Sequence, residues 1–124
     1  MAAVYSEAKA AVGILIREGA QLGSKICVII PAYNASETIG QVVRGALKYV
    51  PLVIVADDGS TDHTAKFAAE ADGEVILIEK NRGKGHALKM LFQRAIDKGY
   101  DAVISMDADL QHDPEKIPNF IQIH

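Results

Sequence analysis

The sequence predicts an α/β fold: a Rossmann-like parallel sheet with helices on both faces, preceded by an N-terminal helix. Three observations carry this. Four short, largely apolar runs, Ile26 to Ile30, Leu52 to Ala56, Glu74 to Glu79 and Ala102 to Met106, recur along the chain. A segment of helical periodicity follows each of the first three, and Asp113-Pro114 opens another after the fourth. Strand and helix signals that alternate in this way imply parallel strands joined by helical crossovers. Finally, the residues with useful chemistry fall only in the loops that follow strands.

The elements can be justified in order. Between Met1 and Gly23, Val4, Ala8, Ala11, Val12 and Leu15 recur at helical spacing, with Glu7, Lys9 and Glu18 elsewhere. This predicts an amphipathic helix ending near Gly19 or Gly23 and packed on the domain or on a partner chain. Residues 1–24 are then a helix and linker, and residues 25–124 the α/β domain. Ile26 to Ile30 is a continuous apolar run, as expected of a strand covered on both faces. Pro31-Ala32-Tyr33-Asn34 ends it. Asn34 and Glu37 are spaced as a capping box for a helix reaching about Tyr49, its inner face formed by Ile39, Val42, Val43, Ala46 and Leu47. Leu52 to Ala56 is the second strand, and a helix from near Asp62 stops before Gly73. After the third strand, Asn81-Arg82-Gly83-Lys84-Gly85 leads into a helix ending near Gly99. Ala102 to Met106 is the fourth strand, and Asp113-Pro114 supplies an N-cap and a first helical residue.

Composition narrows the function classes. A chain of 124 residues suffices for one domain with a real core. Its net charge of −3 provides no basic footprint for nucleic acid. Cys27 is the one cysteine, so no internal disulfide can form, and its apolar surroundings in sequence predict an inert core thiol. No apolar stretch approaches the ~20 residues needed to cross a bilayer. A cytoplasmic setting is expected.

Asp107-Ala108-Asp109 follows the fourth strand. In extended backbone, residues two apart point the same way, so the two carboxylates can share one hard cation such as magnesium or manganese. A second acidic loop, Asp57-Asp58-Gly59-Ser60-Thr61-Asp62, follows the second strand. The loop Asn81 to His86 adds positive charge and glycines, which allow close approach of backbone to a phosphate at a helix start. It has neither Walker A spacing nor the dinucleotide fingerprint. In parallel sheets ligands bind at the carboxyl ends of the strands, where all these loops should lie. His86 and His112 belong to the same edge, but no histidine pair has zinc-ligand spacing.

The ordered segments Ile29-Ile30-Pro31-Ala32-Tyr33-Asn34, Asp57 to Asp62, Asn81 to Gly85 and Asp107 to Pro114 resemble the family 2 glycosyltransferases of GT-A fold. The Asp-Ala-Asp-Leu-Gln-His-Asp-Pro ending looks most like the polyprenyl-phosphate branch, the dolichyl-phosphate mannose and glucose synthases. That resemblance implies a donor site for a nucleotide-diphosphate sugar. Pro31, Ala32 and Tyr33 would line the nucleotide pocket, Asp57 or Asp58 would bond base or ribose, and Lys84 would help to hold the nucleotide. Asp107 would contact the ribose or a metal-bound water. Asp109 and Gln111 would ligate Mg2+ or Mn2+, Asp107 and Asp109 forming the catalytic acidic motif.

Two residues depart from the family pattern. Ala35 stands where a glutamate is usual, so a nucleotide contact is missing unless Glu37 substitutes, and Leu91 stands where a glycine is usual. The resemblance covers about Lys25 to Phe120 and implies only the donor-binding part of an enzyme. The chain alone is therefore expected to bind donor and to transfer nothing at a useful rate. Polyprenyl phosphate at the cytoplasmic face of a membrane is the expected acceptor of the full-length protein. Self-association through an open sheet edge or the N-terminal helix is also expected. Two alternatives stand beside this reading, a receiver-like signalling domain and a non-catalytic interaction module.

Overall fold

The computed structural model describes residues 3–8, 12–17 and 25–109. In chain order the strands are Ala3–Ala8 (β1), Val12–Arg17 (β2), Ile26–Ala32 (β3), Val53–Asp58 (β4), Glu74–Ile78 (β5) and Ala102–Ser105 (β6). The helices are Ile39–Ala46 (α1), Thr64–Glu70 (α2) and Lys84–Asp97 (α3). They build one sheet of order β1-β2-β6-β3-β4-β5. The four strands expected from the sequence, β3 to β6, are mutually parallel neighbours. Because β3 is followed by β4 on one side and flanked by β6 on the other, strand order reverses there. Such a switch point opens a crevice at the carboxyl ends of the strands.

Two apolar layers hold the helices to the sheet, one on each face. Val28, Ile30, Val53, Val55 and Ile104 point to the layer that receives Ile39, Val42, Val43 and Ala46 of α1 and Ala68 of α2. Cys27, Ile29, Ile54, Ala56 and Val103 point to the other, against Ala87, Leu91 and Ala95 of α3. The alternation is the period-two geometry of a strand meeting apolar cover on both sides. Leu91, the residue that departs from the family's glycine, is fully buried in this second layer. Cys27 is fully buried too, and burial, aided by the charge of Glu74, pushes its thiol up to about 12.

Pro31 lies inside a central strand, which is unusual because it cannot donate to the ladder. Register accounts for it. The Met106 amide donates to the Ile29 carbonyl at 3.0 Å, so Ile29 and, two residues on, Pro31 face the β6 side. There β6 has already ended, since its last residue, Ser105, pairs with Ile29. A proline thus costs the sheet no bond and terminates pairing where the cleft begins.

Three expectations need revision. In place of the N-terminal helix over residues 1–24, the structure describes β1 and β2 as an antiparallel hairpin, with β2 antiparallel to β6. The hairpin belongs to the same sheet as the domain. Its pairing partner is the otherwise open edge of β6, and the run Val12-Gly13-Ile14-Leu15-Ile16 is rich in the β-branched residues that strands favour. Edge pairing thus prevailed over a local helical period. Secondly, α1 starts at Ile39 after an N-cap position at Thr38, which makes no side-chain cap bond. Asn34 is not its cap. Thirdly, β3 and β4 run further than predicted, to Ala32 and Asp58, so Pro31, Ala32 and both acidic residues are strand residues. The helix expected at Asp113-Pro114 lies outside the described residues.

Candidate functional site

A cleft of about 660 Å³ opens over the carboxyl ends of the parallel strands. Pro31 to Thr38 from the β3 end, Asp58 and Asp62 from the β4 end, Asn81, Gly83, Lys84 and Ala87 from the start of α3, and Asp107, Ala108 and Asp109 from the β6 end all line it. Segments up to 78 residues apart in sequence (31 to 109) therefore share one hollow.

Hydrogen bonds between two loops brace the floor. Asn34 adopts a left-handed conformation, φ 48°, which asparagine tolerates better than most residues. Its amide donates to Ser60 Oγ at 2.8 Å, and its Oδ1 accepts from the Thr61 amide at 2.9 Å. The Ala35 amide donates to Thr64 Oγ1 at 2.9 Å, and the Ser36 amide to Asp62 Oδ2 at 3.1 Å. Asp62 also accepts from the Thr64 amide and the Thr64 hydroxyl. The Thr64 hydroxyl leads the contacts that lower the Asp62 carboxyl to about 2. Together these bonds tie the loop after β3 to the loop after β4, and Tyr33 stands half-exposed above them.

Asp58 anchors the glycine loop. It is buried, yet both of its oxygens are used: the Arg82 amide donates to Oδ1 at 2.8 Å and the Gly83 amide to Oδ2 at 2.9 Å. Gly59 lets the two loops meet, since a Cβ there would lie 2.5 Å from the Asn81 nitrogen, and its φ is +72°. Gly83 turns the chain into α3 with φ +96°. This places Lys84 at the first turn of α3, where its Nζ lies 2.8 Å from Asp107 Oδ1 across the cleft. Thr38, at the start of α1, donates its hydroxyl to the Ala108 carbonyl at 2.7 Å. The acidic loop after β6 is thereby fastened at the peptide between its two carboxylates.

Most of the predicted site residues therefore meet: Pro31, Ala32, Tyr33, Asp58, Lys84, Asp107 and Asp109 share the cleft. Asp57 is not among its lining residues. It is buried and its Oδ1 accepts from the Ser60 amide at 3.1 Å, closing the turn. Gln111 and His112 lie outside the described residues. Glu37, suggested in place of the missing glutamate at Ala35, does line the cleft. Sequence reading missed Thr38, Asn34 and Asp62 as struts; the only local signal for them was their polarity beside the flagged loops.

The donor set suits a hard divalent cation. Asp107 and Asp109 border the cleft from one short segment and offer carboxylate oxygens, the preferred donors for magnesium or manganese. Among the described residues no group of three or more His, Cys, Asp and Glu side chains could by itself hold a metal.

Residues 27–124 match the family model described as glycosyl transferase family 2. Among curated relatives, an undecaprenyl-phosphate 4-deoxy-4-formamido-L-arabinose transferase of Proteus mirabilis (strain HI4320) is 36% identical over 110 residues, 79% of this chain and 33% of that protein. A homonymous transferase of Pseudomonas fluorescens (strain SBW25) is 33% identical over 109 residues, 78% of this chain and 31% of that protein. The chain thus spans about a third of the length of these relatives. Among solved structures, glucosyl-3-phosphoglycerate synthase from Mycobacterium tuberculosis with Mn2+, UDP-glucose and phosphoglyceric acid superposes with a TM-score of 0.65. It is 28% identical, and the match covers 82% of this chain and 42% of that one. The same enzyme with Mg2+ and UDP gives a TM-score of 0.64 at 30% identity, covering 77% and 37%.

Proposed function

The chain belongs to glycosyl transferase family 2, and on that premise we propose that it is the donor-binding part of a nucleotide-sugar-dependent glycosyltransferase acting on polyprenyl phosphate. The observation that carries this is the convergence of Tyr33, Asp58, Lys84, Asp107 and Asp109 on one cleft at the switch point of the sheet. The family assignment removes the receiver-like alternative.

In this reading Pro31, Ala32 and half-exposed Tyr33 receive the nucleoside. Asp58, the member of the acidic pair that borders the cleft, lines it with them. Lys84 faces the diphosphate. Asp107, Asp109 and Gln111 would hold Mg2+ or Mn2+, which when bound would supply positive charge to offset the diphosphate that leaves as the acceptor oxygen attacks the sugar's anomeric carbon. UDP is the nucleotide to try first, because the solved neighbours are complexes with UDP or UDP-glucose. An acceptor phosphate is already anionic and needs no strong general base. Among the described residues no helix is long and apolar enough to cross a membrane. Contact with a polyprenyl phosphate at the cytoplasmic face of a membrane belongs to the same reading.

The test is calorimetric titration of UDP with and without manganese. Manganese is expected to strengthen binding, and Asp109→Asn to remove most of that gain while the circular dichroism spectrum stays unchanged. Binding indifferent to manganese, or to the substitution, would refute the assignment of Asp109.

A further inference from the structure

Lys84 lines the cleft and its ion pair reaches the acidic loop: its Nζ lies 2.8 Å from Asp107 Oδ1. Three features set that reach. Gly83 turns the chain with φ +96°, Asp58 fixes the Arg82 and Gly83 amides, and Thr38 fixes the Ala108 carbonyl. Both ends of the pair are thus mounted on anchored backbone, while the lysine stem between them is 59% exposed and able to swing. A divalent cation at Asp107 and an ammonium at hydrogen-bond distance from the same carboxylate would repel each other, because both are positive and only a few ångströms apart.

We infer that Lys84 and the divalent cation are alternative partners of Asp107: the lysine holds the carboxylate when the cleft is empty and moves to the donor's diphosphate when metal and nucleotide arrive together. The inference rests on the proposed metal role of Asp107 and Asp109. Its consequence is a coupling between two ligands. Lys84 lowers the affinity of the empty cleft for metal and raises that of the loaded cleft for diphosphate, so each ligand favours the other. Metal without nucleotide then binds poorly, although two carboxylates are present. An ion pair this exposed is weak, so the first effect should be a factor of about two to five. Loss of a charge-assisted bond to diphosphate should cost the second about tenfold.

The experiment measures free Mn2+ by electron paramagnetic resonance, with and without UDP, on the whole chain and on Lys84→Met and Arg82→Met. Arg82→Met removes the same charge from the same loop without touching the Lys84–Asp107 pair. Without UDP, Lys84→Met is expected to bind Mn2+ about two- to fivefold more tightly than the unaltered chain, with Arg82→Met unchanged. With Mn2+ saturating, UDP is expected to bind Lys84→Met about tenfold more weakly. Equal or weaker Mn2+ binding by Lys84→Met, an absence of measurable Mn2+ binding in it, or an equal gain in Arg82→Met would overturn the inference. Should manganese fail to strengthen UDP binding to the unaltered chain, the metal reading itself falls, and the inference with it. If manganese strengthens UDP binding but Lys84→Met gains nothing, only the inference falls.

Discussion

Replacing Asp58 with alanine removes the anchor of the glycine loop, and its cost can be worked from the contacts. The carboxylate accepts two backbone N–H groups, from Arg82 at 2.8 Å and Gly83 at 2.9 Å. Hydrogen bonds to a charged group contribute about 1.5–3 kcal/mol each, which sets an upper bound of about 3–6 kcal/mol. Two effects reduce it. Arg82 is exposed and Gly83 partly so, which lets both amides recover water once the loop relaxes. The variant also no longer buries a carboxylate, whose desolvation opposes folding. A net loss of about 2–3 kcal/mol follows, a large share of a typical domain's stability. Asp58→Asn should lose roughly half as much, since it keeps one acceptor but sets an NH2 group against an N–H. Urea unfolding measures the loss, and hydrogen exchange at Arg82 and Gly83 locates it. A loss below about 0.5 kcal/mol, with both amides as protected as before, would refute the anchoring role.

Other consequences are open to similar tests. Thr38→Val keeps the shape but removes the bond to the Ala108 carbonyl; it should cost about 1 kcal/mol and reduce the manganese gain in UDP binding several-fold by calorimetry. An unchanged gain would show that the acidic loop holds itself. The buried Cys27 thiol, raised to about 12, should react negligibly with a disulfide reagent at pH 8 in the folded protein and promptly in urea. Fast reaction in the native state would contradict the packing of β3. Asp62 is held at about 2, below the ordinary value of 3.8, so its contribution to stability is fully present above about pH 4 and is lost as pH falls towards 2. Asp62→Asn should therefore flatten that part of the acid-unfolding curve, and superimposable curves would refute the strut.

The parallel core was legible in the residues because each element carries its own signal. The apolar run of β3, the inward face Ile39, Val42, Val43 and Ala46 of α1, and the helix stop near Gly99 all follow from side-chain type and spacing. So did the site's location, since Pro31 to Asn34, Asp57 to Asp62, Asn81 to Gly85 and Asp107 to Asp109 all had to emerge at one edge of such a sheet. What residue spacing could not supply was pairing between distant segments. The period of residues 4–15 suits a helix and the β-branched run Val12 to Ile16 a strand, and it is the open edge of β6, which accepts β2, that decides between them. Asn34 and Glu37 have the spacing of a capping box, yet Asn34 serves Thr61, 27 residues away. Thr38 is an ordinary residue of a helix start until the fold brings Ala108 to it across 70 residues. Asp57 and Asp58 are identical in type and adjacent, and strand alternation sends one to a turn and the other to the cleft. Residue chemistry determined which groups could meet at that edge; hydrogen bonds between loops, which exist only once the strands are registered, decided where each group sits there.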